Sequence, residues 1–346
     1  MNSKLSTCVV ILLLLACQNK TVRDQLPAQA NDNLIGKIEH YDPEAKLLVD
    51  SNARFEVIGE KYTWSEGPVW LPGENALLFS DVPENKIYQW KEGRGTSLYL
   101  TPSGYTDTAR RDGENGSNGL ALDINGRLLL CQSGDRTVAR LNSPLNDPIP
   151  SFTILSANYQ GKKFNSPNDL VADSKNNIYF TDPIYGLPEG EKDPTRELSF
   201  EGVYRISAEG KTSLLIDSIA RPNGIALSAD EKTLYVASSD ADHPRWFAYE
   251  LNDAGQVKSG GILLDATEMK SKATVKQGAD GFKLDASGNI YSAGPDGINI
   301  ISPAGKRLAL IRVFGRSCSN CAFNSDKSSL FITADDVVIK LELHPK

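Results

Sequence analysis

The sequence predicts an all-β chain folded as a six-bladed β-propeller. Three observations carry this: a motif that recurs six times, a short apolar strand after each copy, and a repeat length near fifty residues. Five copies are closely alike: Asn118-Gly119-Leu120-Ala121-Leu122-Asp123, Asn168-Asp169-Leu170-Val171-Ala172-Asp173, Asn223-Gly224-Ile225-Ala226-Leu227-Ser228, Asp280-Gly281-Phe282-Lys283-Leu284-Asp285 and Asn320-Cys321-Ala322-Phe323-Asn324-Ser325. A weaker copy, Glu66-Gly67-Pro68-Val69-Trp70, opens the series, and the lead residues stand 52, 50, 55, 57 and 40 positions apart. Composition agrees, with 28 Gly and 18 Pro to punctuate short strands and no long stretch of helical period.

Residues 1–17 read as a lipoprotein-type signal peptide. Lys4 gives a positive start, residues 9–15 form an apolar run too short to span a bilayer, and Leu14-Leu15-Ala16-Cys17 sets a small residue before a cysteine. Cleavage there would leave Cys17 as the lipid-attachment residue. Residues 18–35, polar and Pro-containing, read as a flexible tether. The expectation is an exported protein, lipid-anchored to a bacterial membrane and facing the periplasm or the cell surface. Residues 36–346 are expected to form one propeller domain.

Within that domain, residues 36–60 mix strand and turn character, and the first blade begins near Trp64. Each lead is followed by a polar turn and an apolar strand, at residues 77–80, 128–131, 178–181, 234–238, 289–293 and 330–333. A further alternating segment follows in each repeat, at 87–90, 138–141, 202–206, 246–251, 298–301 and 337–341, as half-buried antiparallel strands require. Two insertions, residues 102–117 and 183–201, exceed hairpin-loop length and adjoin repeat leads or strand ends, which places them over the central opening.

Several function classes are set aside by composition. A net charge of −7 argues against nucleic-acid binding by a basic surface. There is no Gly-rich phosphate loop, GxGxxG or Ser nucleophile elbow, so no nucleotide cofactor is implied. Cys318 and Cys321 form a CxxC inside a β-repeat, which reads as a structural pair or a strained disulfide. His40, His243 and His344 are too scattered to complete a zinc site.

The lead residues carry the chemistry. Each repeat begins with an oxygen-bearing side chain, and propeller symmetry gathers these around one axis. Glu66 and Asp280 supply two negative charges, while Asn168 and Asn223 supply neutral amide oxygens. Two carboxylates and two amides make a hard oxygen cage suited to a hard divalent cation. Buried together without one, the carboxylates repel each other and lose hydration.

Longer matches sharpen this. Trp64-Ser65-Glu66-Gly67-Pro68-Val69-Trp70, Leu78-Phe79-Ser80-Asp81, Asn165-Ser166-Pro167-Asn168-Asp169, Ile178-Tyr179-Phe180-Thr181-Asp182-Pro183, Arg221-Pro222-Asn223-Gly224, Asp280-Gly281 and Asn320-Cys321-Ala322-Phe323 occur in order. Together they resemble the senescence-marker-protein/gluconolactonase/luciferin-regenerating family, in its bacterial gluconolactonase branch. The resemblance implies one divalent cation at the propeller centre, Ca²⁺ first with Mg²⁺, Mn²⁺ or Zn²⁺ as alternatives, held by Glu66, Asn168, Asn223 and Asp280. It implies hydrolysis of a small-molecule lactone, a sugar lactone first, with Asp280 activating the attacking water. Asn118 would orient substrate hydroxyls, with Tyr105, Arg110, Arg111 and Tyr185 as further contacts from the insertions.

Two positions depart from the family pattern. Cys131-Gln132-Ser133-Gly134-Asp135 lacks the His of the bacterial branch, and Ser166 stands where the animal branch has Arg. Two other functions stay open. An esterase or organophosphatase on the same cage would need apolar walls, for which Trp64, Trp70, Phe164 and Tyr185 are candidates. A non-catalytic, lipid-anchored binding propeller would use Ca²⁺ structurally.

Overall fold

The apolar runs that follow each lead become the second strand of a blade: Ala76–Asp81, Leu128–Gln132, Ile178–Asp182, Thr233–Ser238, Ile290–Gly294 and Ser329–Ala334. They are almost wholly buried. Neighbouring blades cover both faces of these strands, which is why they read as continuous apolar stretches and do not alternate. The computed structural model describes residues 35–109 and 111–344. The signal peptide, Cys17, Arg110 and all of the expected tether but Ile35 lie outside the described residues.

Six antiparallel blades follow one another in chain order, each built outward from its lead strand. The innermost strands are Ser65–Leu71, Ser117–Leu122, Leu170–Ala172, Pro222–Leu227, Phe282–Leu284 and Cys318–Phe323, and they neighbour one another around the axis. The motif divides its labour. Its first residue stands at the axis, and its last closes the turn into the second strand. Asp123 Oδ1 accepts from the backbone N–H of Asn125 and Arg127, and Asp173 Oδ1 does the same for Lys175 and Asn177. Asp285 Oδ1 repeats this for Ser287 and Asn289, and Ser228 and Asn324 stand in elsewhere.

Residues 36–60, ambiguous in sequence, supply the strands that finish the ring. Gly36–His40 pairs with Arg307–Val313 as a fifth strand of the fifth blade. Arg54–Glu60 pairs with Val337–Glu342 and is the outer strand of the sixth. Ser65, first residue of blade 1, then crosses to blade 6. Its hydroxyl faces the carbonyls of Asp335 (3.0 Å) and Val337 (2.9 Å) and accepts from Ala334 N–H (3.1 Å). Ser319 Oγ donates back to the Ser65 carbonyl at 2.6 Å. Ile35 packs against the core shared by blades 5 and 6.

Cys318 and Cys321 are free, buried thiols in that same core, and Cys321 Sγ lies 3.1 Å from the Tyr291 carbonyl. Both are structural, and burial pushes the Cys321 thiol up to about 12. Trp70 stacks on Phe331 with ring centroids 5.2 Å apart, and Phe164 sits in the core with Phe180 and Tyr204, so neither serves as a wall of the central cavity.

The tightest approach at the axis is at Gly67. Its φ is +52°, and a Cβ there would lie 2.0 Å from the Asn118 carbonyl oxygen of the next blade. Gly67→Ala should therefore destabilise the protein by about 2–4 kcal/mol, combining left-handed backbone strain with a displaced neighbour strand. A urea titration checks this, and an unchanged midpoint would remove Gly67 from the account of ring closure.

Candidate active site

A cavity of about 220 Å³ opens on the axis, lined by Trp64, Glu66, Glu114, Asn118, Asn168, Tyr185, Asn223, Ser239, Gly278 and Asp280. Five of the six lead residues meet there. Glu66, Asn118, Asn168 and Asn223 are buried, and Asp280 is partly open to the cavity. A larger groove of about 540 Å³ runs along the outer edge of blades 3 and 4. Both of its glutamates are already engaged: Glu231 takes Ser174, and Glu250 takes Lys258 and Ser259. The axial cavity holds acceptor oxygens without partners, Asn168 Oδ1 and Glu114 Oε2.

Three of the four expected donors are fixed by a local side-chain bond that leaves an oxygen for the cavity. Glu66 Oε2 accepts from Gly67 N–H at 2.7 Å, and Asp280 Oδ1 from Gly281 N–H at 3.0 Å. Asn223 Nδ2 donates to Ser239 Oγ at 2.9 Å, which directs its carbonyl oxygen the other way. Ser239 is itself held by donating to the Ala279 carbonyl at 2.7 Å. Asn168 Oδ1 is buried and has no hydrogen-bond partner. An orphan acceptor of this kind is expensive to keep, and a cation satisfies it directly.

Electrostatics agree. Burial, and then the neighbouring Asp280, push the Glu66 carboxyl well above the ordinary range. Burial likewise raises Asp280, with Asp169 and Glu114 adding repulsion. Among the described residues no three His, Cys, Asp or Glu side chains form a metal-binding group. The donor set is instead two carboxylates and two amides. That chemistry fits a hard divalent cation, whose charge would relieve the repulsion.

Asn118 and Tyr185 line the cavity as expected, while Tyr105 is absent from its lining and lies beneath the Arg111 guanidinium, 5.9 Å from the ring centroid. Arg111 acts as a strut. It donates to the Glu114 carbonyl at 2.8 Å and to the Gly186 carbonyl, tying the first insertion to the second. Tyr185 is paired with Ser239, and burial, then the Asp280 charge, hold its phenol un-ionised. The sixth lead, Asn320, does not line the cavity. Its Oδ1 accepts from Cys321 N–H and Lys283 Nζ, and its Nδ2 reaches toward Asp169, so it serves a deeper layer of the channel.

Glu114 and Ser239 were not foreseen. Glu114 lies in the first insertion, four residues before a lead, and burial lifts its carboxyl to about 7 against the opposing pull of Arg111 and a hydrogen bond from Asn118. The two departures from the family pattern turn out to anchor the insertions. Gln132 Nε2 donates to the Ser103 carbonyl at 3.1 Å. Ser166 Oγ donates to Pro183 O at 2.6 Å and accepts from Gly186 N–H at 2.9 Å.

The profile of the SMP-30/gluconolactonase/LRE-like region matches residues 64–336. The chain is 35% identical over 344 residues to a gluconolactonase of Zymomonas mobilis subsp. mobilis, covering 97% of this chain and 95% of that one. It is 25% identical over 285 residues to regucalcin of Sus scrofa, covering 80% and 85%. Among solved structures, a gluconolactonase from Xanthomonas campestris superposes with a TM-score of 0.75 at 28% identity, covering 93% of this chain and 99% of that one.

The raised carboxyls set a direction for stability. A carboxyl raised by folding contributes most below its unfolded pKa, and that contribution fades as pH rises through its folded value. In chelator at pH 8, Asp280→Asn should melt about 2–6 °C above the parent, and the gap should close below about pH 4 as the parent carboxyls take up protons. Calorimetry across pH checks this. A variant less stable than the parent at pH 8 would mean the cavity carboxylates do not strain the fold.

Proposed function

The chain belongs to the SMP-30/gluconolactonase/LRE-like family and is a lactonase, and from that premise we propose a sugar lactone as substrate and a divalent cation, Ca²⁺ first, held by Glu66, Asn168, Asn223 and Asp280. One observation carries the reading: four oxygen donors, two of them charged, line one cavity in which Asn168 Oδ1 has no partner. A bound cation supplies Lewis acidity at the lactone carbonyl, where negative charge builds as water adds.

The protein's own part follows from its bonds. Glu66 and Asp280 balance the ion's charge, and Ser239 keeps the Asn223 amide turned to the cavity. Asp280 Oδ1 is tied to Gly281 N–H and the Asn223 side chain also bonds the carboxylate, which holds Asp280 in place to take a proton from the attacking water. The water oxygen bonds to the carbonyl carbon and the ring C–O bond breaks. The proton taken by Asp280 then passes to the departing ring oxygen. A carboxylate beside a cation is a weak base, so Asp280 works through position more than basicity.

The cavity's small size and polar lining favour a hydroxylated, monosaccharide-sized substrate over a larger apolar ester. Drug-sized ligands occupy roughly 300–1,000 Å³, and of the four aromatic candidates only Trp64 and Tyr185 line the space. Asn118 would meet a ring hydroxyl. The N-terminal pattern ending at Cys17 supports placing this activity on an exported, lipid-anchored protein.

Hydrolysis of D-glucono-1,5-lactone by the full chain should vanish on chelation and return with one of Ca²⁺, Mg²⁺, Mn²⁺ or Zn²⁺ added back. Asp280→Asn should lower kcat by about 10²–10³-fold. Hydrolysis that is indifferent to chelator would overturn the metal assignment. No hydrolysis with any cation, in a folded protein that binds Ca²⁺, would favour a binding propeller.

A further inference from the structure

Glu114 stands beside the cage without belonging to it. Two carboxylates already balance a divalent charge, and two amides complete that set. Glu114 enters from the insertion above, next to Asn118, which hydrogen-bonds its carboxyl. Its Oε2 is buried and receives no hydrogen bond from the protein.

The loop that carries Glu114 is held in place. Arg111 bonds the Glu114 carbonyl at 2.8 Å and the Gly186 carbonyl, and Asn115 Nδ2 donates to the Arg111 carbonyl at 3.1 Å. At Gly134, where the loop rests on blade 2, a Cβ would lie 2.2 Å from the Asn115 carbonyl oxygen. The carboxyl therefore has little freedom to swing to solvent. A buried acceptor kept unpaired by a braced loop is matched by a donor that arrives with the ligand.

We propose that Glu114 is a substrate-binding, specificity-determining residue: its Oε2 accepts a hydrogen bond from a ring hydroxyl, with Asn118 at its side, and so distinguishes polyhydroxylated lactones from plain ones. This rests on the lactonase reading above. Once ionised, above its raised pKa of about 7, Glu114 only accepts, so the position then demands a donor and disfavours a hydrogen, methyl or ether there. Sites built to bond a substrate hydroxyl reject analogues lacking it, because the protein group is then left buried and unpaired.

The test compares D-glucono-1,5-lactone with δ-valerolactone, which has the same ring and no hydroxyls, on the parent, Glu114→Gln and Glu114→Ala. With Glu114→Ala, kcat/KM for the gluconolactone should fall about 10–100-fold, mostly through KM, and that for valerolactone by less than about threefold. Glu114→Gln keeps one acceptor and should lose about 3–10-fold on the gluconolactone alone, which serves as the reading if the alanine variant does not fold. Calcium affinity by calorimetry should fall by less than about tenfold in both, since a charge beside the cage is lost but no ligand is. Equal losses on the two lactones, no loss on either, or a larger loss of calcium affinity would each overturn the proposal.

A second arm is independent of turnover. Quenching of tryptophan fluorescence, with Trp64 in the cavity wall, reports binding of D-glucono-1,5-lactam against 2-piperidone. A parent preference for the hydroxylated lactam that Glu114→Ala abolishes sustains the proposal even if neither lactone is hydrolysed and the lactonase reading fails. Equal binding of the two lactams by the parent overturns it.

Discussion

Six backbones crowd one axis, and the rest of the molecule is arranged around that crowding. Where blade 1 meets blade 2 there is no room for a side chain at Gly67. The residue before it, Glu66, is thereby brought to the axis, and its carboxylate is braced on the Gly67 N–H. The same crowding brings carboxylates from blades far apart in sequence close enough to repel. Fold and chemistry thus share one cause: the geometry that closes the ring also concentrates charge in a space with little water.

Much of this was legible because a repeat states one fact six times. The second strands were visible as apolar runs, since stacked blades bury both faces. The leads that line the cavity were visible because their positions in the repeat coincide and their chemistry differs from plain turn residues. Asn320, left out of the donor set, lies away from the cavity. It shares the repeat position, yet Lys283 and Asp169 lie beside it, and its amide serves them in a deeper layer.

What was illegible breaks the repeat. Gly36–His40 and Arg54–Glu60 pair with strands near the far end of the chain, Arg307–Val313 and Val337–Glu342, and no local pattern announces such a partner. Glu114 belongs to an insertion without counterpart in other blades, and its role depends on a loop path set by Arg111 and Gly186. Ser239 follows a strand end like any exposed serine, and only the Asn223 amide above it gives it meaning. Gln132 and Ser166 read as losses against a family pattern. In the folded chain they are gains, each fastening one of the two insertions over the site.

The outer strand of blade 6 is made before any blade is complete and used last. Residues 54–60 must remain unpaired while five blades are synthesised, until Val337–Glu342 exists to receive them. The contact that completes the ring is among the longest in sequence, so its loop entropy falls on the final step of assembly, and folding is slow and late. In the finished molecule the same arrangement works in reverse. No blade end is free to peel away alone, because blade 6 is sewn together from both halves of the chain. Parting the strand at 54–60 from its partner opens the ring, so a contact at the rim, a full blade's width from the chemistry, helps hold the central site together.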